Sequence, residues 1–183
     1  MEIRAGSVEV SGGQLYQTAG ELRLAGGQLS LRRNTFTDRP PLVLSGGELT
    51  GHGRIIYTST GLATVTNTGS VIKPGLPIGV LTFENRLTLD PGSTVEIDLG
   101  GTTPGTQHDQ LAVVNLVRLG GTLRLRLREG YVPAVGDKFA VVTFNSSSSA
   151  AFSAIEGQDI GGGKRLEVIY ESSRVLVRCV AVP

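Results

Sequence analysis

Several residue types that carry chemistry in other proteins are scarce in this chain of 183 residues. Cys179 is the only cysteine, which excludes an internal disulfide framework and a cysteine-based zinc site. Tryptophan is absent, and only five Phe and four Tyr are present, whereas compact enzymes usually pack more aromatic volume into their cores. The composition therefore favours a core built from aliphatic side chains.

Neither sign of charge is in excess, because 17 Lys plus Arg stand against 16 Asp plus Glu. No block of like charge occurs, so the sequence lacks the footprint of a nucleic-acid partner. No apolar run approaches the roughly 18 residues of a membrane span, and the first ten residues contain no signal-peptide core. We expect no nucleic-acid partner and no membrane span, and an exported chain would need a signal outside this sequence or another route.

Glycine and alternating strands dominate what is present. The chain has 26 glycines, and apolar residues alternate with polar ones with a period of two, while helical spacing is missing. Three copies of one pattern, a short strand followed by Gly-Gly, a polar residue and leucine, occur at VEVSGGQL (8–15), LRLAGGQL (22–29) and LVLSGGEL (42–49). Such units bury their apolar side only by stacking, so the sequence predicts an all-β fold that begins as a right-handed β-solenoid with glycine corners.

The prolines of KPGLPIG (73–79) predict a boundary, because proline removes amide donors from a ladder. We therefore predict Gly-Gly-cornered solenoid rungs over 1–72 and a longer-stranded part over 73–183, which is either sandwich-like or solenoid and could serve as a cap. A polar loop is expected at NSSSSAA (145–151).

The order of motifs after residue 68 resembles bacterial surface proteins with autotransporter-associated β-strand repeats and passenger-like β-helices. The matching stretches include GSVIKPGLPIGVLTF (69–83), LTLDPGSTVEIDLGG (87–101), GYVPAVGDKFAVVTF (130–144) and LEVIYESSRVLVRCV (166–180). The resemblance implies a secreted or surface-exposed solenoid, often one segment of a long chain, and it supplies no catalytic residue. We accordingly expect a non-enzymatic structural or adhesive module of a bacterial exterior, without a cofactor or metal.

The stretch LRLRLR (123–128) places Arg124, Arg126 and Arg128 on one side of a strand. A row of guanidinium groups could bind acidic or sulfated cell-surface glycans. The alternative is a solvated strand face on which the arginines pair with Glu96 and Asp98 of a neighbouring strand. Arg118 would join the row only if no bulge lies at Gly120 and Gly121.

Other ionisable residues give weaker indications. His52 is expected at an exposed corner, and Asp109, next to His108, is expected to hydrogen-bond the backbone of a turn. A polysaccharide-degrading enzyme would need carboxylates that converge in a cleft, and the best cluster consists of Asp90, Glu96 and Asp98.

The two ends of a solenoid offer unpaired backbone groups to further strands. No amphipathic helix covers either end of this sequence. Either the second half acts as the cap, or the ends meet other copies head to tail and form a filament. The candidate assembly residues at the two ends are Ile3, Val8, Val175, Val177 and Val180.

Overall fold

A computed structural model describes residues 1–32, 39–148 and 151–182. Within these ranges the chain forms strands and no helix, and the strands join in one 18-stranded sheet wound into a β-solenoid of about five turns. The predicted all-β solenoid is confirmed.

The first ten strands are β1 (Glu2–Ile3), β2 (Ser7–Ser11), β3 (Leu15–Gln17), β4 (Glu21–Arg32), β5 (Leu42–Leu44), β6 (Glu48–Tyr57), β7 (Thr64–Asn67), β8 (Val71–Pro74), β9 (Val80–Phe83) and β10 (Arg86–Leu89). The others are β11 (Thr94–Leu99), β12 (Gln110–Arg118), β13 (Thr122–Leu127), β14 (Lys138–Ser147), β15 (Ala154–Glu156), β16 (Asp159–Gly161), β17 (Lys164–Tyr170) and β18 (Arg174–Ala181).

Parallel pairing arranges the strands on three faces. Face A stacks β1, the first half of β4, the first half of β6, β8, β11, β13 and β15. Face B stacks β2, the second halves of β4 and β6, β9, the start of β12 and β14. Face C stacks β3, β5, β7, β10 and the ends of β12 and β14. Each turn of the solenoid therefore contributes one short strand to each face.

The core consists of apolar columns that run along the solenoid axis. On face B one column is formed, in register, by Val8, Leu29, Ile55, Phe83, Val113 and Phe144. From Leu29 onward every member of this column is buried. Mostly aliphatic side chains therefore fill the interior, joined in this column by Phe83 and Phe144.

The three Gly-Gly copies do not stack on one another. The first copy turns the chain from face B to face C, the second from face A to face B, and the third from face C to face A. The pattern is thus a corner repeat, and successive copies are separated along the chain by two faces rather than by a full turn of three.

The ladder shows no interruption at the boundary predicted between residues 72 and 73. Strand β8 crosses this position and pairs with β6 on one side and β11 on the other. Parallel stacking on face A continues as far as β15. Strand β14 extends to Ser147, so the start of the predicted polar loop is strand, while its residues 149 and 150 lie outside the described ranges.

The last three strands leave the parallel pattern. β18 lies antiparallel to β14, β17 antiparallel to β18, and β16 antiparallel to β17. Val175 and Val177 are fully buried in β18, which has neighbours on both edges. These two residues, predicted at an open end, are therefore interior residues of an antiparallel meander that covers the last strand of face B.

Substitution of Gly27 should destabilise the fold, whereas substitution of Gly13 should not. A Cβ atom on Gly27 would lie 2.1 Å from the carbonyl oxygen of Arg4 in the preceding turn, whereas nothing lies within 4 Å of one on Gly13. Both glycines are second in a Gly-Gly pair followed by Gln-Leu. We expect Gly27→Ala to lower the free energy of unfolding by about 1–3 kcal/mol, and Gly13→Ala to leave it unchanged or raise it by about 0.4–1 kcal/mol. Urea denaturation of both variants measures the difference, and equal effects would contradict the packing at this corner.

Candidate functional site

The arginine row lies on face A, on the outer side of β13. Leu123 and Leu125 point into the core and are buried, while Arg124 and Arg126, which alternate with them, point outward. Arg128 follows the end of β13 and is exposed. Arg118 belongs to the part of β12 that pairs with β10 on face C, so it does not join the row.

Carboxylates on both neighbouring strands engage the row. Parallel register places Arg124 beside Glu96 of β11 and Glu156 of β15, and Arg126 beside Asp98 of β11. Arg124 donates from Nε to Glu156 Oε2 at 2.6 Å and from Nη1 to Glu96 Oε2 at 3.3 Å. Arg126 donates from Nη1 to Glu96 Oε1 at 3.1 Å. The arginines of β13 thus pair with Glu96 and Asp98 of the neighbouring strand, which is the alternative given above to a row of free guanidinium groups.

Glu96 is the centre of this charge cluster. Its residue surface is only 7% exposed, and Lys73 Nζ lies 3.7 Å from the same Oε1 atom that Arg126 approaches. Lys73 also bonds Glu48 Oε1 at 2.8 Å, one turn further toward the N-terminus. Three cations therefore share one nearly buried carboxylate, which offsets the cost of removing that carboxylate from water.

The acid–base properties of this face follow from the pairing. The hydrogen bonds to Glu156 and Glu96 raise the pKa of Arg124. Partial burial raises the pKa of Asp98, although Arg126 opposes this shift. Asp90, the third carboxylate of the predicted cluster, lies in the turn before β11, where its backbone carbonyl accepts a hydrogen bond from Ser93 N. Glu96 and Asp98 thus lie on a charge-paired face, and Asp90 lies outside this arginine cluster.

A second set of buried groups lies at the corner between faces A and B. Asp109 accepts hydrogen bonds from Gly79 N through Oδ1 and from Asp98 N through Oδ2, each at 3.0 Å. The expectation that Asp109 bonds turn backbone is confirmed. The carboxylate thus connects the 75–79 loop of one turn to the end of β11, just before the 100–108 loop of the next turn.

His108, the last residue of the 100–108 loop, is also fully buried. Its Nδ1 lies 2.9 Å from the carbonyl oxygen of Gly101, and its ring packs edge-on against Phe139. Burial lowers the pKa of His108, whereas burial raises the pKa of Asp109 to about 7 despite the two backbone hydrogen bonds. His52 occupies an exposed corner one turn away from the 75–79 loop, as predicted.

The predicted assembly residues fall into different environments. Ile3 is buried against the second turn, Val8 is 37% exposed on β2, and Val180 is half-buried on β18. Among these candidate assembly residues, Val8 is the most exposed.

No family model matches the chain, and no curated protein matches it. Among residues 1–32, 39–148 and 151–182, no cluster of three or more His, Cys, Asp and Glu side chains is placed to hold a metal ion. The same residues include no apolar helix of membrane-spanning length.

Asp109 should make stability depend on pH. Its folded pKa lies above the value of 3.8 of the unfolded chain, so between about pH 4 and 7 the folded state holds more protons. Its contribution to the free energy of unfolding therefore falls as the pH rises through this window, with a slope of at most about 1.4 kcal/mol per pH unit.

Asp109→Asn should remove this dependence. Urea denaturation from pH 4 to 8 measures the difference in unfolding free energy between the natural chain and the variant, and this difference should decline with pH. The opposite effect of His108 is present in both proteins and cancels. Stability curves that stay parallel across the window would show that Asp109 does not titrate there.

Proposed function

We propose that this chain is a non-enzymatic structural module of a bacterial surface or extracellular protein, with the solenoid serving as a stiff segment. The observation that carries the proposal is the continuous stack: apolar columns fill the inside, and side-chain pairs such as Lys73 with Glu48 and Arg124 with Glu96 connect successive turns on the outside. Side chains that bond the next turn resist bending and sliding of one turn over another.

The modular character of the stack supports the same proposal. In a solenoid each turn contacts only its neighbours, so stability is close to a sum of terms for single turns and their interfaces. Such a chain can vary in length without loss of architecture, which suits a spacer. The external location rests on the resemblance to surface proteins with β-strand repeats.

The antiparallel meander argues against a head-to-tail filament subunit. At the C-terminal end β18 already occupies the free edge of β14 on face B. A second copy that continues the parallel ladder there would have to displace the meander. We therefore do not extend the proposal to head-to-tail polymerisation.

Removal of one complete turn should shorten the solenoid without unfolding it. Val71 and Thr94 are register partners, and each follows a Gly-Ser pair, so deletion of residues 71–93 joins equivalent corners. We expect a folded protein with a β-type circular dichroism spectrum and one cooperative transition. Its melting temperature should be somewhat lower, because Lys73 is lost from between Glu48 and Glu96.

Deletion of residues 71–85 provides the control. It removes fewer residues but takes β8 and β9 without β10. Each later strand would therefore fall on a different face from the strand on which it should stack. We expect this shorter deletion to abolish cooperative unfolding. The modular proposal fails if the full-turn deletion is as damaging as the partial one.

A second candidate function is the binding of acidic or sulfated glycans by face A. The observation that favours it is that the side chain of Arg126 is 60% exposed and that Arg128 is exposed beside it. Arg124 is engaged by two carboxylates and Arg126 donates from Nη1 to Glu96, so the donors of such a site would be those of Arg128 and the remaining ones of Arg126.

Binding to dextran sulfate, with neutral dextran as the reference, tests this candidate. We expect a double substitution, Arg126→Ala with Arg128→Ala, to weaken binding by about tenfold or more, since a charge-assisted contact is worth about 1.5–3 kcal/mol. Arg118→Ala, on face C, is the matched control. Equal losses in the two variants would mean that no defined site exists on face A.

A further inference from the structure

The positive charges of face A lie in a line along one strand. Arg124, Arg126 and Arg128 occupy alternate positions, and the ladder continues past the end of β13 because Arg128 N donates to Leu99 O. Since a strand rises about 3.3 Å per residue, alternate residues lie about 6.6 Å apart. The residues between the arginines are leucines that pack against the core. The arginine row therefore carries three positive charges with no negative charge between them.

Charges alternate in sign in the other direction, along the solenoid axis. Register places Glu96 and Glu156 on either side of Arg124, and it places Asp98 beside Arg126. Neighbouring strands lie about 4.8 Å apart, so the backbone position of each carboxylate is closer to its arginine than the next arginine of the row is. The row is therefore one strand wide, and three flanking carboxylates, Glu96, Asp98 and Glu156, form its borders.

The flanking carboxylates differ in their exposure. The side chain of Glu96 is only 9% exposed, whereas those of Asp98 and Glu156 are 38% and 52% exposed. Asp98 Oδ1 lies 4.0 Å from Arg126 Nε, and Glu156 Oε2 accepts a hydrogen bond of 2.6 Å from Arg124 Nε. A ligand on face A therefore meets two accessible negative charges, one on either side of the row.

The arginines keep donors for such a ligand. A guanidinium group has five N–H donors. Within the described part of the chain, Arg124 gives two of its donors to carboxylates and Arg126 gives one. Arg124 is half-buried, whereas Arg126 and Arg128 are exposed. The capacity to bind an anion therefore increases along the row from Arg124 to Arg128.

We propose that the ligand of face A is one unbranched polyanionic chain, an acidic or sulfated glycan that lies along β13 and runs across the solenoid axis. This inference rests on the second candidate function proposed above, and it adds the shape and the direction of the ligand. Successive anionic groups of such a chain accept charge-assisted hydrogen bonds from Arg128, Arg126 and Arg124 in turn.

The same arrangement disfavours wider polyanions. Together with Arg128, the strands β11, β13 and β15 carry three arginines and three carboxylates, so an area that covers all three strands has no net charge. A branched or broad polyanion places anionic groups over Asp98 and Glu156, where like charges repel. Repulsion of the wrong partner is one of the two ways in which an interface becomes selective. A chain no wider than the row avoids this repulsion.

A cation added on the row or away from it tests the direction of the ligand. Thr122 is the outward residue that precedes Arg124 on β13, and Val71 occupies the equivalent position two turns earlier, with Thr94 between them. Thr122→Arg lengthens the row, so binding of dextran sulfate should tighten by about two- to fivefold. Val71→Arg adds the same charge beyond the carboxylates of β11, so it should change the dissociation constant by less than about twofold.

Both variants are expected to fold, because Thr122 and Val71 are half-buried residues on the outer side of their strands. Circular dichroism checks the fold. Titration of fluorescently labelled dextran sulfate at physiological ionic strength measures the dissociation constants, and neutral dextran is the reference.

Removal of the borders tests the width of the site. Duplex DNA is the wide probe, because its phosphates lie in two rows separated by grooves of about 6 and 12 Å. We expect the natural chain to bind dextran sulfate more tightly than duplex DNA at equal ionic strength. Asp98→Asn combined with Glu156→Gln removes both accessible negative charges and should reduce this preference by about two- to tenfold.

A second double variant controls for net charge. Glu84 pairs with Arg54 at the corner between faces B and C, and Glu171 pairs with Arg174 beside the meander, so neither carboxylate borders the row. Glu84→Gln combined with Glu171→Gln changes the net charge by the same amount and should leave the preference for dextran sulfate unchanged.

The outcomes separate this inference from the candidate function on which it rests. Equal effects of Thr122→Arg and Val71→Arg overturn the inference, even where the loss of binding in the Arg126→Ala, Arg128→Ala variant supports the candidate function. A natural chain that prefers duplex DNA, or a preference that survives removal of both borders, overturns it as well. If neither the natural chain nor Thr122→Arg binds dextran sulfate, the inference and the candidate function both fail. The structural role of the solenoid does not depend on these results.

Discussion

Register between successive turns is the constraint on which this structure depends. Each turn must return to the hydrogen-bonding position above the last one, and at the corners the backbone then passes directly over carbonyl oxygens of the preceding turn. A Cβ atom at Gly27 or Gly120 would lie 2.1 or 2.2 Å from such an oxygen, far inside van der Waals contact distance. Glycine at these corners is what lets the chain close three faces, and the apolar columns and the charge pairs follow from that closure.

The charge pattern on face A is a consequence of the same stacking. Parallel pairing places residues at equivalent positions of successive turns side by side, so a charge on one strand needs an opposite charge on the next. Glu96 lies between Lys73 on one side and two arginines on the other, and Glu156 follows in the next turn. Exposed ion pairs contribute little one at a time, but a nearly buried carboxylate shared by three cations would be costly to leave unpaired.

The sequence predicts the architecture better than its details. Alternation and the Gly-Gly motifs indicate the solenoid, and the period of LRLRLR (123–128) correctly separates core leucines from outer arginines. The same alternation hides corners: 80–89 reads as one strand but bends at Asn85, and β12 crosses from face B to face C. Period-two patterns carry no mark of a bend when both faces bury the same parity of residues.

The antiparallel meander and the assembly ends could not be read from the sequence, because strand direction depends on partners far along the chain. The meander also has a consequence for local opening. Strand β18 is held on both edges, by β14 and by β17, so it is released only when two ladders open together. Amide hydrogens of β18 should therefore exchange more slowly than those of strands that are held by a single ladder.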